Sequence, residues 1–161
     1  MQVETLLRRS IREKPASKRS ARQKTSTPRD MVRMNLNENA YGMSDTVQQA
    51  LRASVADNSM YQDFYAYDIR KNVADLHGLT ADHILIGAGS SAVIDMLGEV
   101  FINYGDEVLY CSPTYEAFPD MVSDNGGVRV EVPLTADYRF DLAALRAAVT
   151  DKTKMVILVN L

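Results

Sequence analysis

From His83 onward, short apolar runs alternate with segments that turn apolar every third or fourth residue. His83-Ile-Leu-Ile86, Glu107-Val-Leu-Tyr110, Val128-Arg-Val-Glu-Val132 and Lys154-Met-Val-Ile-Leu-Val159 are strand-sized. Between them, Ser91 to Phe101 carries Val93, Leu97, Val100 and Phe101 at helical spacing. Tyr115 to Asn125 reads as a helix ended by Gly126-Gly127, and Asp141 as the cap of a helix that stops near Val149. Strands alternating with helices at this interval predict an α/β fold of three layers, a mostly parallel sheet with helices on both faces. Upstream, Ser44 caps a predicted helix to about Asp57, with Val47, Leu51 and Val55 on one face. After a tyrosine-rich loop, Asn58 to Tyr65, a second helix from about Tyr67 to Leu76 turns Ile69, Val73 and Leu76 inward. Gly78 is placed to end it in a left-handed cap.

At 161 residues the chain fits one domain, and 46% apolar against 24% charged residues is the balance of a protein that buries a core. The longest apolar run, Met155 to Val159, falls far short of the ~20 residues of a membrane-spanning helix, so no membrane partner is expected. Charge divides the chain. Residues 1–30 hold nine Lys/Arg and three Asp/Glu, and residues 31–161 hold nine and eighteen. Residues 1–30 therefore read as a basic N-terminal extension and 31–161 as the folded domain. The extension is open to three readings: a flexible arm, a targeting segment or a nucleic-acid arm. Val3, Leu6, Leu7 and Ile11 can line one face of a short helix within it. The acidic body argues against nucleic acid. Cys111 is the only cysteine, which excludes an internal disulfide and suits a reducing compartment. His77 and His83 lie among no clustered ligands, so no metal site is expected.

In parallel sheets ligands bind beyond the carboxyl ends of the strands, and Gly87–Ser91, Cys111–Tyr115 and Asn160-Leu161 fall there. In Gly87-Ala-Gly-Ser-Ser91, two glycines allow a sharp turn and close approach of an anion, and Ser90 and Ser91 open a helix whose first N–H groups favour negative charge. A tight turn with no ligand fits the same five letters. So does a dinucleotide fingerprint, since Gly-Ala-Gly-Ser-Ser-Ala matches its spacing. That fingerprint requires an acidic residue where the next strand ends; here the strand ends on Leu109-Tyr110-Cys111, with Asp106 and Glu107 at its beginning.

Five segments in order narrow the choice: Asn35-Leu-Asn-Glu-Asn-Ala-Tyr-Gly42, Tyr61 in its loop, His83-Ile-Leu-Ile-Gly-Ala-Gly-Ser-Ser91, Cys111-Ser-Pro-Thr-Tyr-Glu-Ala-Phe118, and Val156-Ile-Leu-Val-Asn-Leu161. Together they resemble the N-terminal part of a fold-type-I pyridoxal-phosphate enzyme, and most of all a class I/II aminotransferase of the histidinol-phosphate aminotransferase branch. The resemblance covers about residues 34–161. It implies that Gly89, Ser90 and Ser91 hold the phosphate of pyridoxal 5'-phosphate, that Tyr115 stacks on its ring, and that Tyr61 reaches the phosphate in the neighbouring subunit of a homodimer. Taken singly, Tyr115 also reads as a helix-start aromatic and Tyr61 as a surface tyrosine. Residues 35–42 resemble the strip at the substrate entrance, where Tyr41 would touch substrate. The implied protein is a cytoplasmic enzyme that moves an amino group from an amino acid or amine phosphate to a 2-oxo acid.

Two positions depart from the family pattern. Ala40 stands where a proline is usual, which puts the shape of the entrance strip in question. Ala92 stands where an acidic residue is usual, which marks a side branch with another substrate or another reaction; a pyridoxal-phosphate lyase or decarboxylase stays open because the same cradle and stacking residue serve those enzymes. The chemistry also needs a lysine for the Schiff base and a carboxylate on the ring nitrogen. In the family the lysine lies beyond the position of Leu161; Lys71 lacks its serine-rich context, and Lys152 and Lys154 flank a turn at the opposite, amino-terminal edge of the last strand. The expectation is therefore an incomplete large domain with no catalytic residue of its own, unable to bond the cofactor, and poorly soluble or self-associating through apolar surface and an open sheet edge. A non-catalytic anion-binding module is the reading from a different class.

Overall fold

The computed structural model describes residues 8–12, 34, 37–57, 59–61 and 63–160. They fall into two compact units, Lys18–Ile84 and Leu85–Leu161 joined by Met1–Ser17. Asn35, Leu36, Leu161 and most of the basic extension, including Val3, Leu6 and Leu7, lie outside the described residues.

The second unit is built on a sheet of three parallel strands, β1 (Glu107–Ser112), β2 (Val128–Pro133) and β3 (Thr153–Ile157), in the order β2-β1-β3. Leu109 pairs with Val130 on one side and with Val156 on the other. β1 is paired along both edges, and Val108, Leu109, Tyr110 and Cys111 are all buried. Its continuous apolar run is what a strand covered on both faces requires. Side chains alternate across the sheet. Val108 and Tyr110 join Ile157, Ile94 and Ile102, and Met121 and Val122 of α5 (Ala117–Asp124). Ile94 belongs to α4 (Gly89–Phe101). Leu109 and Cys111 pack on the other face against Val132 and against Leu145 of α6 (Leu142–Ala147). The three layers are those predicted. The α6 cap is also as predicted, with the Ala144 N–H donating to Asp141 Oδ1 at 2.9 Å.

Two expectations fail here. His83–Ile86 is not a strand. Ala81–His83 forms a single 3-10 turn, and the backbone at Ile84 is extended without a ladder. The segment pairs with none of the three strands of the sheet. In α4 the buried residues are Ile94 and Gly98, while Leu97, Val100 and Phe101 are exposed. Gly98 turns the helix this way because α5 lies against its backbone. A Cβ there would sit 2.4 Å from Asn125 Nδ2 and 2.6 Å from Met121 Cγ. At the amino edge, one helical turn, α1 (Arg9–Arg12), places the Arg9 guanidinium 4.4 Å from the centroid of the Tyr104 ring. Ile11 is exposed, and the other residues of the predicted apolar face lie outside the described residues.

The unit Lys18–Ile84 holds α2 (Asp45–Ser54) and α3 (Tyr67–His77). The Val47 N–H donates to the Ser44 hydroxyl at 3.4 Å, a long version of the predicted cap. Gly78 ends α3 with φ +66°, as predicted. The inward face of α3 is different. Ile69 and Leu76 are exposed, whereas Ala74 is buried and Arg70 and Val73 are partly so. The face is chosen by Arg70, whose guanidinium is consumed by backbone carbonyls.

Two predictions follow from the core. Gly98→Ala forces α4 off α5 and lowers stability by about 1–3 kcal/mol, read as a lower urea midpoint without a change in slope. The second concerns Tyr110, whose hydroxyl donates to Glu131 Oε1 at 2.5 Å. Burial first, and this bond second, push its ionisation well above the ordinary 10.0. A raised folded value favours the neutral phenol, so its contribution is complete below about pH 10 and is lost as the pH rises further. The urea midpoint falls above about pH 10, and it falls less steeply in Tyr110→Phe.

Candidate functional site at the carboxyl edge of the sheet

α4 precedes β1 by a short connection and packs on the sheet through Ile94, so its first turn points toward the carboxyl ends of the strands. That turn opens on Gly89 at φ +77°, a conformation that costs a side chain about 1 kcal/mol or more and costs glycine nothing. A Cβ at Gly89 would meet nothing within 4 Å, so the space above the turn is open. Gly87 is tight for another reason. A Cβ there would lie 3.0 Å from Val93 Cγ2, because the entering chain runs against its own helix. The Gly89 N–H donates to the Gly87 carbonyl at 2.8 Å. No side chain caps α4, no acidic residue lies in its first turn, and Ser90 and Ser91 are exposed. The aligned dipoles of thirteen residues therefore end at an uncapped positive terminus flanked by two hydroxyls.

β1 delivers Cys111 to Tyr115 to the same edge. The Ser112–Pro113 peptide is cis. The Tyr115 ring is half exposed and meets Phe118 edge-on, with centroids 6.2 Å apart and planes at 87°, which leaves a face free. The Thr114 hydroxyl is buried and has no hydrogen-bond partner. An orphaned hydroxyl of this kind costs about 1–3 kcal/mol unless something outside the chain bonds it. Both residues border an open cavity of ≈ 660 Å³, with Cys111, Tyr138, Arg139 and Asn160 also in its wall. Gly89, Ser90 and Ser91 are not in that wall, so the cradle and the cavity are separate features of one edge. Burial, and then the charge of Asp141, push the Cys111 thiol upward, so it is protonated at neutral pH and poorly nucleophilic.

The structure thus gathers Gly89, Ser90 and Ser91 in one turn and sets Tyr115 on the same edge of the same unit. Tyr61 and Tyr41 belong to the other unit. Tyr61 is exposed and stacks on Phe64, centroids 6.4 Å apart. Tyr41 is fully exposed on a turn closed by Asn39, whose Oδ1 accepts from the Tyr41 N–H at 3.1 Å and whose Nδ2 donates to the Gly42 carbonyl at 2.7 Å. Sequence reasoning missed Thr114, Tyr138 and Arg139. The only signal for the last two was the polar run Thr135-Ala-Asp-Tyr138, which folds into a turn with the Arg139 N–H donating to the Thr135 hydroxyl at 2.9 Å. No group of three His, Cys, Asp or Glu side chains converges among the described residues, and none of their helices is long and apolar enough to cross a membrane.

This geometry has known relatives. The family model for aminotransferase class I and II matches residues 29–161. Histidinol-phosphate aminotransferase of Dehalococcoides mccartyi is 35% identical over 132 residues, which are 82% of this chain and 37% of that protein. An aromatic amino acid aminotransferase of Rhodococcus opacus is 35% identical over 125 residues, 78% of this chain and 35% of the relative. The crystal structure of histidinol-phosphate aminotransferase from Sinorhizobium meliloti in complex with pyridoxal-5'-phosphate superposes with a TM-score of 0.69 at 29% identity, covering 74% of this chain and 33% of that one. The chain spans little more than a third of the length of these relatives. Match and fold agree, and the chain belongs to the class I and II aminotransferase family.

Proposed function

We propose that this chain supplies the phosphate cradle and the ring-stacking wall of a pyridoxal-phosphate-dependent aminotransferase, cytoplasmic and homodimeric, which passes an amino group from an amino acid or amine phosphate to a 2-oxo acid. The observation that carries the proposal is the opening of α4: a glycine at φ +77° before two exposed serines on a helix without a cap. A phosphate dianion is what such a terminus accepts best. Two other observations fit the cofactor. The Tyr115 ring has a free face, and a planar electron-poor ring stacks well on an electron-rich one. The unpartnered Thr114 hydroxyl beside it offers a polar contact to a ring substituent or to substrate.

In this reading Gly89 lets the phosphate approach, its own N–H being taken by the Gly87 carbonyl, and the N–H groups and hydroxyls of Ser90 and Ser91 anchor it. Tyr115 then fixes the plane of the ring, and the wall of Thr114 and Pro113 limits water on one side. Tyr61 adds a phenol to the phosphate from the neighbouring subunit, and Tyr41 touches substrate at the entrance. When bound, the cofactor supplies an electron sink for the bond broken at the amino-bearing carbon.

The test compares pyridoxal phosphate with pyridoxal, using the protein translated from the whole reading frame. Wild type prefers the phosphorylated form. Ser90→Ala with Ser91→Ala cuts that preference by about 10- to 100-fold, because hydrogen bonds to a charged group are lost. Tyr115→Leu weakens both ligands alike. Equal binding of the two ligands by wild type overturns the cradle. Absence of 2-oxo acid-dependent amino transfer from histidinol phosphate and from aromatic amino acids overturns the assigned reaction.

A further inference from the structure

Arg70 is the one cation of α3 turned away from solvent, with 21% of its side chain exposed. Its guanidinium bonds three backbone carbonyls. Its Nε donates to the carbonyls of Ala81 and Ile84, both at 3.0 Å. One Nη donates to the Ala81 carbonyl at 2.7 Å and the other to the Tyr65 carbonyl at 3.3 Å. The ion pair with Asp82, at 3.4 Å to an almost wholly exposed carboxylate, adds little. The side chain is thus spent on backbone from two segments far apart in sequence: the loop of residues 61–66 before α3 and the Ala81–Ile84 turn after it. Asp63 completes the knot. Its carboxylate accepts from the Tyr67 N–H at 2.7 Å and from the Tyr65 N–H at 2.9 Å. Those two bonds, with the charge of Arg70 in a lesser part, hold its carboxyl below the usual range.

A core does not explain this arrangement. Ala74 alone is buried among the described residues of this unit, and Phe64, Tyr65 and Tyr67 are exposed. Residues 63–66 of the loop owe their shape to polar bonds, and the chain turns sharply there, with Ala66 at φ +48°. The loop also carries Tyr61. We infer that Arg70 is a positioning residue, whose grip on the Tyr65, Ala81 and Ile84 carbonyls holds the Tyr61 loop in the single geometry from which that phenol meets the cofactor phosphate. The inference rests on the reading of Tyr61 as a phosphate contact. It gives the loop a reason for its rigidity: a phenol presented in advance binds without the cost of ordering. Lysine cannot replace Arg70, because one ammonium cannot reach three carbonyls that a planar fork spans.

The experiment uses the full-length protein and two ligands, pyridoxal phosphate and pyridoxal. Tyr61→Phe weakens pyridoxal phosphate by about 3- to 10-fold and leaves pyridoxal unchanged. Arg70→Lys produces the same selective loss. The double variant binds no more weakly than Tyr61→Phe alone, as expected when one residue acts through the other. Hydrogen exchange of the ligand-free protein shows faster exchange at Tyr65 and Tyr67 in Arg70→Lys. Arg70→Gln, which keeps part of the fork without the charge, recovers some of the protection. Equal weakening of both ligands, or losses that add in the double variant, overturn the inference in favour of a general structural role. A selective loss in Tyr61→Phe with none in Arg70→Lys overturns it while leaving Tyr61 in place. No effect of Tyr61→Phe removes the reading of Tyr61 itself, and the role of Arg70 with it.

Discussion

Double-sided burial of β1 is the constraint from which the carboxyl edge is assembled. Val108, Leu109, Tyr110 and Cys111 are inaccessible in a row, and burying each large apolar side chain contributes about 1.5–3 kcal/mol. A strand can be buried on both faces only if helices lie on both, and parallel neighbours can be joined only by crossovers that return the chain to the opposite edge. Each helix therefore begins near the edge where each strand ends. The terminus of α4 and the Cys111–Tyr115 loop meet at one edge because of that return path.

Gly98 sets how closely the two helices on one face approach. With no side chain between α4 and Met121, the helices share a surface, and the starts of α4 and α5 are held in a fixed relation. One opens on the Gly87–Ser91 turn and the other follows closely on Tyr115. The glycine that a helix-propensity scale penalises is thus what lets this pair of helices approach so closely.

The central strands, the order of the elements and the caps at Asp141 and Gly78 were legible from local chemistry alone. Apolar runs, an acidic cap and a glycine after a periodic stretch are each readable within a few residues. The helix faces were less legible, and for one reason in both cases. Periodicity assigns the inner face to the most apolar residues, but α3 turns Arg70 inward to bond carbonyls and α4 turns Gly98 inward to admit a neighbour. A strand at His83–Ile86 was unreadable in the other direction, since a ladder needs a partner that local sequence does not name. In the site, the contiguous turn Gly87–Ser91 was visible, whereas Thr114 gained its interest from burial without a partner, a property of tertiary packing.

The knot around Arg70 and Asp63 gives the unit Lys18–Ile84 a different thermodynamic character from its neighbour. Order that rests on burial melts with a large heat-capacity change, because water must rehydrate apolar surface. Order that rests on hydrogen bonds from one guanidinium and one carboxylate exposes little such surface when it opens. Local opening of the tyrosine loop should therefore vary almost linearly with temperature, with no stability maximum of its own, while the sheet unit follows the usual dome. Opening of residues 63–66 and unfolding of the sheet then answer to temperature differently, the first along a nearly straight line and the second along a curve.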